Sequence, residues 1–225
     1  MQSGVLNIFK KHGIEFAEAI DYSAMKEVNS RLALSLDFTP RTAIIFLVPY
    51  YVGEGKNISS YSTSRDYHAY ISELSLHICA ELKALYPEYT FRGFGDHSPI
   101  DERYAALISS LGILGKNGLL INEKYGSYVF IGDVITDLPP DILDAAPKTE
   151  IKACEGCGAC LRACATGILC GRGSDCLSAI TQKRGTLTDD EVELMRKHNT
   201  VWGCDICQTA CPYNKTPRRN QVPSG

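Results

Sequence analysis

The sequence contains no long run of apolar residues. The longest, from Ala43 to Val52, includes Pro49 and has only about half of the roughly 20 residues that a membrane-spanning helix needs. The N-terminal segment MQSGVLNIFKK also lacks the basic-then-apolar order of a secretory signal peptide. These two absences predict a soluble protein of the cytoplasm with no membrane partner.

A large excess of charge of one sign is absent as well. The 23 Lys and Arg residues stand against 26 Asp and Glu residues, which gives a formal net charge of −3. A protein built to coat nucleic acid or an anionic membrane would carry a strongly basic balance. With 225 residues, the chain is long enough for one good core and one small additional module.

Cysteine is the residue type whose distribution is unusual. Nine of the ten cysteines fall between Cys154 and Cys211. The missing secretory signal argues against a disulfide framework, which belongs to oxidising compartments. Structural zinc sites also use C-x2-C pairs, but in CEGCGACLRAC at 154–164 three cysteines recur at spacing three and a fourth follows at four. That pattern is typical of the [4Fe–4S] runs of bacterial ferredoxins.

The second cysteine run has only three members, so one thiolate of a two-cluster protein is missing from it. In two-cluster ferredoxins the fourth cysteine of each run ligates the cluster of the other run. This rule predicts one cluster on Cys154, Cys157, Cys160 and Cys211. The other cluster would take Cys164, Cys204 and Cys207, and its fourth ligand is either Cys170 or Cys176.

The first 140 residues show a mixed pattern of helices and strands. Apolar periodicity and start signals predict helices over 5–12, 66–86 and 99–111. The apolar stripe of the second helix is Ile71, Leu74, Ile78, Leu82 and Leu85. Apolar and β-branched runs predict strands over 42–50, 89–94, 118–122 and 127–136. A further helix is predicted over 189–198, between the two cysteine runs.

These patterns predict an α+β protein of two domains. The proline-rich stretch 137–148 has the composition of a linker. We therefore expect an α/β domain at 1–140, a two-cluster ferredoxin-like domain at 150–214 and a flexible tail at 215–225.

Four motifs stand before the cysteines: SRDYH at 64–68, GDHSP at 95–99, GILGKNGLLIN at 112–122 and GSYVFIGDVITDL at 126–138. Together with the cysteine runs and the ending CDICQTACPYN, they resemble the epoxyqueuosine reductase family over Tyr61–Asn214. Members of that family are cobalamin-dependent enzymes with two [4Fe–4S] clusters that reduce epoxyqueuosine to queuosine in tRNA. The resemblance implies a nitroreductase-like, corrinoid-binding α/β sandwich followed by the two-cluster module, in a short member without the family's C-terminal helical-repeat domain.

The resemblance also implies roles for individual residues. In the family a cysteine followed by x-S-x-[LI]-T supplies the eighth cluster ligand; Cys176 matches it here, and Cys170 is then a spare thiol. Asp96 matches the carboxylate that donates a proton to the substrate, a role in which burial would have to raise its pKa. The matching corrin contacts are Asp96, Leu120, Ile131, Ser178, Cys204 and Asp205.

Each of these roles has a plainer alternative. Asp96 precedes a predicted helix and is equally suited to cap it. Leu120 and Ile131 have the character of ordinary core residues. A ferredoxin-type electron-transfer protein that binds no corrinoid, or a corrinoid reductase of small-molecule electrophiles, would use the same cysteines.

The resemblance further implies the partners. The expected substrate carrier is tRNA, and the expected electron donor is an external flavodoxin or ferredoxin, with the chain acting as a monomer. Against tRNA stand the net charge of −3 and Ala179, which occupies a position where the family often has a tyrosine that meets tRNA. Phosphate neutralisation carries most of the affinity of proteins for nucleic acid.

Overall fold

The computed structural model of the protein describes residues 1–173 and 175–215. The predicted flexible tail lies, from residue 216 onward, outside the described residues. Contacts divide the chain into two compact units. The first is built from Met1–Val48, Asp66–Ile113 and Val129–Lys152, and the second from Pro49–Arg65, Leu114–Tyr128 and the chain from Ala153 onward.

The described residues form short and long helices and six strands. The helices are α1 (Ser3–Lys11), α2 (Ser30–Leu34), α3 (Tyr67–Leu85), α4 (Glu102–Ile108), α5 (Ala159–Ala163), α6 (Leu177–Thr181), α7 (Asp189–Lys197) and α8 (Ile206–Thr209). The strands are β1 (Ala17–Asp21), β2 (Thr42–Pro49), β3 (Phe91–Gly95), β4 (Ile113–Leu114), β5 (Leu120–Ile121) and β6 (Val129–Thr136). This mixed content confirms the predicted fold class, while the nitroreductase-like detail stays a prediction.

A four-stranded sheet in the order β1-β2-β6-β3 organises the first unit. Strand β1 runs antiparallel to β2 with Ala17 opposite Phe46, and β3 runs antiparallel to β6 with Gly93 opposite Val134. Every residue of β2 is buried, as expected for an apolar strand whose two faces are both covered. The sequence prediction of this strand is confirmed.

Helix α3 packs its apolar stripe on the sheet. Asp66 caps the helix, because its carboxylate accepts the backbone N–H of His68. The side chains of Ile71, Leu74, Ile78 and Leu82 are buried as predicted. Leu85 departs from the prediction: it lies in the last turn of the helix and is 48% exposed.

The first unit also leaves little room between α3 and β3. A β-carbon at Gly93 would collide with Cβ of Ser75 and lie 2.9 Å from its Oγ, and a β-carbon at Gly95 would meet Ile71. Glycine is therefore required here for close approach, since both glycines have ordinary backbone angles.

We expect Gly93→Ala to lower the free energy of unfolding by about 1–3 kcal/mol, the usual cost of overpacking. The midpoint of urea unfolding measures the change. The double variant Gly93→Ala, Ser75→Gly removes the colliding atom, so its loss should be smaller than the sum of the two single losses. Strictly additive losses would contradict the steric explanation.

Helix α4 begins later than its sequence suggests. Pro99 was the predicted start, but the helix runs from Glu102 to Ile108 with Asp101 as its cap. The preceding residues are held in an extended form, because Ile100 bridges to Glu27 and the N–H of Asp101 donates to the carbonyl of Lys26. Asp96 does not cap this helix, so the capping alternative for Asp96 is wrong.

The proline-rich stretch 137–148 is part of the first unit and packs within it. Leu138 and Leu143 are fully buried, and the N–H of Ala146 donates to the carbonyl of Ala19. Its prolines therefore belong to a packed, turn-rich segment. The predicted domain limits at 140 and 150 stay a prediction.

The second unit has little regular structure apart from short helices and the β4–β5 pair. Helix α7 confirms the prediction over 189–198 and carries a complete capping box, in which Thr188 and Glu191 bond each other's backbone N–H. Among the described residues, no helix combines the length and apolar character needed to cross a membrane.

Candidate cluster and acid sites

Four thiols of the second unit lie close together, three from the start of the cysteine-rich segment and one from its end. Burial raises the pKa of the Cys211 thiol, and the nearby thiols of Cys160, Cys157 and Cys154 add to the rise. All four cysteines line one cavity of about 300 Å³. We call them the first thiol group.

The loop that carries the first thiol group needs glycine. Gly156 and Gly158 have φ of +76° and +74°, which only glycine adopts readily. A β-carbon on Gly156 would also lie 3.1 Å from Cε of Lys116. Lys116 thus lies against the loop and lines the same cavity, so a cation stands beside the thiol group.

The second thiol group is formed by Cys164, Cys176, Cys204 and Cys207. Burial raises the pKa of Cys207 to about 11, and the neighbouring thiols of Cys204, Cys176 and Cys164 act in the same direction. Cys176 stands at the cap position of α6. The Cys170 thiol donates to the carbonyl oxygen of Leu161 at 3.3 Å.

All ten cysteines are free thiols. Within residues 1–173 and 175–215, no three His, Cys, Asp or Glu side chains are close enough together to hold a single metal ion. The thiols are instead spread in two groups of four, and four thiolates are the ligand set of a [4Fe–4S] cluster.

Side-chain hydrogen bonds, several of them buried, tie the cysteine-rich segment to the other two stretches of the second unit. The Asp205 carboxylate accepts from the hydroxyl of Ser59 and from the N–H of Ser60. The Gln208 amide donates to Tyr50 Oη at 3.0 Å and to the carbonyl of Ser127 at 2.8 Å. Asn214 accepts the N–H of Ser127 at 2.8 Å. These bonds fix the residues next to Cys204, Cys207 and Cys211.

Asp96 lies in the first unit, at the turn after β3. Its φ is +65°, a region that aspartate tolerates better than most residues. Its N–H donates to Glu102 Oε1 at 2.9 Å. Its carboxylate is 43% exposed, and Oδ2 lies 2.8 Å from Nε2 of His68. The other ring nitrogen of His68 lies 3.1 Å from Asp66 Oδ1.

Sequence analysis did not identify two further acidic residues of the first unit, Glu102 and Asp133. Burial, with a smaller contribution from Asp133, raises the pKa of Glu102 to about 8. Asp133 is fully buried in β6, and burial raises its pKa to about 7 although the nearby Ser98 hydroxyl opposes the rise. Neither Asp133 oxygen has a partner with regular hydrogen-bond geometry. The sequence signal that could have revealed Asp133 is an acidic residue within an otherwise apolar strand.

We expect Asp133 to make stability depend on pH. Its folded pKa of about 7 exceeds the ordinary value of about 4, so the folded state binds more protons between these values. Stability should therefore fall as pH rises from about 4 to 7. Thermal unfolding of Asp133→Asn should show a flatter pH dependence than the unaltered chain, and Asp141→Asn, at an exposed site of the same unit, should not. Equal slopes in all three would contradict the assignment.

The predicted corrin contacts are distributed over both units. Asp96 and Ile131 belong to the first unit, and Ile131 is partly buried. In the second unit, Leu120 is only 4% exposed and packs as a core residue. The other predicted contacts there are Ser178, whose hydroxyl accepts from Gln182, and the pair Cys204 and Asp205, which line a cavity of about 450 Å³.

Comparison with known proteins connects these sites to a family. Residues 153–214 match the family model described as a 4Fe-4S double cluster binding domain. The chain is 32% identical over 195 residues to the epoxyqueuosine reductase of Pseudomonas aeruginosa, an alignment that covers 83% of the chain and 52% of that relative. The chain is a relative of the epoxyqueuosine reductases. It spans about half the length of the curated relatives it matches.

Solved structures of epoxyqueuosine reductases share the fold. One contains an epoxyqueuosine reductase with an epoxyqueuosine-modified stem loop of tRNA-Tyr; it has a TM-score of 0.76 and 24% identity, over 98% of this chain and 67% of that one. A catabolic reductive dehalogenase in complex with 3-bromo-4-hydroxybenzoic acid is more distant, with a TM-score of 0.58 and 18% identity over 95% of this chain and 32% of that one. The predicted family resemblance and the predicted double-cluster module are confirmed.

Proposed function

We propose that this chain is an iron–sulfur, cobalamin-dependent reductase that converts epoxyqueuosine to queuosine in tRNA. The observation that carries the proposal is the grouping of eight thiols into two sets of four within a chain related to the epoxyqueuosine reductases. Such an arrangement suits an enzyme that delivers electrons one at a time to a second cofactor.

The two thiol groups are the proposed cluster ligands. Cys154, Cys157, Cys160 and Cys211 would hold one [4Fe–4S] cluster, and Cys164, Cys176, Cys204 and Cys207 would hold the other. The residues fit the clusters, because each group contains four free thiols and each cluster of this type takes four thiolates. Lys116 beside the first group would favour the reduced, more negative state of that cluster.

Cobalamin is proposed as the second cofactor. Asp96, Leu120, Ile131, Ser178, Cys204 and Asp205 are its proposed contacts. The cavity lined by Cys204 and Asp205 is also lined by the polar residues Ser59, Thr200 and Thr209, and a lining of this polarity suits the amide side chains of a corrin. Leu120 fits only through its backbone, since its side chain is buried. Bound cobalamin supplies a strongly reducing centre for an electrophilic substrate.

Asp96 is the proposed proton donor. Reduction of an epoxide consumes protons together with electrons, so an acid must stand beside the substrate oxygen. The Asp96 carboxylate is exposed enough to meet a substrate, and two contacts fix it in place: Glu102 holds its backbone and His68 holds its Oδ2.

The proposed carrier of the substrate is tRNA, as in the related structure with an epoxyqueuosine-modified stem loop. A target base must leave its stack to reach a pocket, and a single unstacked loop needs fewer phosphate contacts than a duplex. This limited contact is compatible with a net charge of −3. We further propose that the chain acts as a cytoplasmic monomer supplied with electrons by a flavodoxin or ferredoxin.

Conversion of a defined substrate tests the proposal. Anaerobically purified protein is first mixed with cobalamin and passed through a sizing column, where co-eluting corrin absorbance is expected. It is then given a strong reductant and tRNA that carries epoxyqueuosine, and nucleosides are analysed by mass spectrometry for queuosine. Corrin binding without queuosine would contradict the tRNA substrate, and absence of corrin binding would leave an electron-transfer protein.

A second candidate is a corrinoid reductase of a small-molecule electrophile. The fold likeness to a reductive dehalogenase bound to a halogenated hydroxybenzoic acid favours it. Such an enzyme would keep both clusters, the corrin and Asp96. Loss of halide from 3-bromo-4-hydroxybenzoic acid under the same reducing conditions separates it from the tRNA reaction.

A further inference from the structure

His68 links two carboxylates in the first unit. Its Nε2 lies 2.8 Å from Asp96 Oδ2, and its Nδ1 lies 3.1 Å from Asp66 Oδ1. Both ring nitrogens can donate only when the imidazole is protonated. The arrangement of one ring between two carboxylates is therefore that of an imidazolium ion.

Helix stability does not explain this arrangement. His68 lies in the first turn of α3, where the positive end of the helix dipole disfavours a cation. Asp66 already caps the helix by accepting the N–H of His68. The contact with Asp96 joins residues 28 positions apart and adds nothing to the cap, so it serves the turn that carries Asp96.

The charged groups around the pair favour a proton on the imidazole. Burial acts to lower the pKa of His68, but the hydrogen bonds to Asp96 and Asp66 outweigh it and the pKa is raised. Nδ1 of His97 lies 3.6 Å from the same oxygen of Asp96, Oδ2. Glu102, with Asp101 and Asp133 near it, contacts the backbone of Asp96 and not its carboxylate.

We propose that His68 and Asp96 act as one acid, in which His68 is a positioning residue that holds the proton and passes it to Asp96. The inference rests on the proposed reductase function. The Nε2–H proton of His68 moves to Asp96 Oδ2 as Asp96 passes one proton to the substrate oxygen, so Asp96 ends the step as the carboxylate it was at the start. The neutral imidazole keeps its Nδ1–H on Asp66 and takes up a proton from water at Nε2. The transfer moves one proton and no electrons.

This assignment replaces burial as the source of acidity. Asp96 is 43% exposed, so the structure does not bury it as the sequence-based assignment required. A shared proton on the pair meets the same need, since the imidazole of histidine titrates in the physiological range.

The first measurement needs no substrate. Nuclear magnetic resonance follows the ring protons of His68 as pH is varied in the intact protein. Asp96→Asn and Asp66→Asn should each move the His68 titration to lower pH, because each removes a carboxylate partner. His77→Gln, at an exposed position of the same helix, should leave it where it is. A His68 titration that is unchanged in Asp96→Asn would overturn the proposal.

The second measurement follows the reaction. His68→Gln keeps a hydrogen-bonding side chain but cannot hold a proton, so we expect a loss of about 10–100-fold at neutral pH, typical of outer-shell partners. The limb on which activity falls with rising pH should also move to lower pH, because Asp96 must then hold the proton alone. His77→Gln is the matched control, and its profile should follow that of the unaltered chain.

The outcomes are distinguishable. If the unaltered chain reduces its substrate and the His68→Gln and His77→Gln profiles coincide, the role of His68 is wrong while the proposed function stands. If the unaltered chain reduces neither epoxyqueuosine nor a small electrophile, the proposed function is wrong. The substrate-free titration then still decides whether His68 and Asp96 share a proton.

Discussion

Cys176→Ser is expected to convert or remove one of the two clusters, whereas Cys170→Ser should leave both in place. Cys176 lies with Cys164, Cys204 and Cys207, and the Cys170 thiol is bonded to a backbone carbonyl instead. Serine is a poor ligand for iron compared with a thiolate, so the change at Cys176 removes one of eight ligands. Iron and sulfide should approach about eight of each per chain in the Cys170→Ser protein, as expected for two clusters of this type.

Electron paramagnetic resonance of the reduced, anaerobic proteins shows which cluster has changed. The signal of the cluster held by the first thiol group should persist in Cys176→Ser. Loss of a cluster in Cys170→Ser with both retained in Cys176→Ser would show that the loop between these two cysteines had exchanged ligands. A colourless protein loaded with zinc would exclude the cluster assignment altogether.

Asp96→Asn is expected to slow substrate reduction by about 10²–10⁴, the usual contribution of a general acid. Asparagine keeps the size of the side chain and tolerates the positive φ of this turn. The N–H bond to Glu102 is a backbone bond and is retained. Single-turnover conversion measures the loss, with cobalamin absorbance as the check that the cofactor is still bound.

Asp101→Ala provides the matched control for Asp96. It removes a nearby carboxylate that caps α4, so we expect a loss of about 1 kcal/mol in stability and an unchanged rate of conversion. If Asp96→Asn folds, binds cobalamin and turns over normally, Asp96 is not the acid.

Much of the fold is encoded in patterns that a single sequence reveals. Strand β2 and helix α3 were predicted within two residues at each end because their apolar residues repeat with unmistakable periods. Strand β1 was missed, since AEAID is short and carries two acidic residues. It exists because pairing with β2 supplies its hydrogen bonds. The start of α4 was misplaced because pairing with residues 26–29 holds Pro99 extended.

Some residues of the candidate sites could likewise be predicted from the sequence, and others could not. The cysteine spacing indicated seven of the eight cluster ligands, because ligand positions in a ferredoxin run follow local geometry. Residue spacing alone left Cys170 and Cys176 open, and the family motif was needed to choose. The contacts of His68 and Glu102 with Asp96 were beyond sequence reasoning, since they depend on how α3, β3 and α4 meet in the first unit.

The hydrogen bonds of Asp205, Gln208 and Asn214 have a consequence for the order in which the protein assembles. An isolated fragment of residues 150–214 would lack Ser59, Tyr50 and Ser127, and each hydrogen bond lost with them contributes about 0.5–1.5 kcal/mol to stability. We therefore expect the cysteine-rich segment to be less stable alone than within the full chain. During synthesis from the N-terminus, the stretches around residues 50–60 and 114–128 leave the ribosome before any cluster cysteine does. The residues that hold the cysteine-rich segment in place are thus synthesised before the thiols that bind iron.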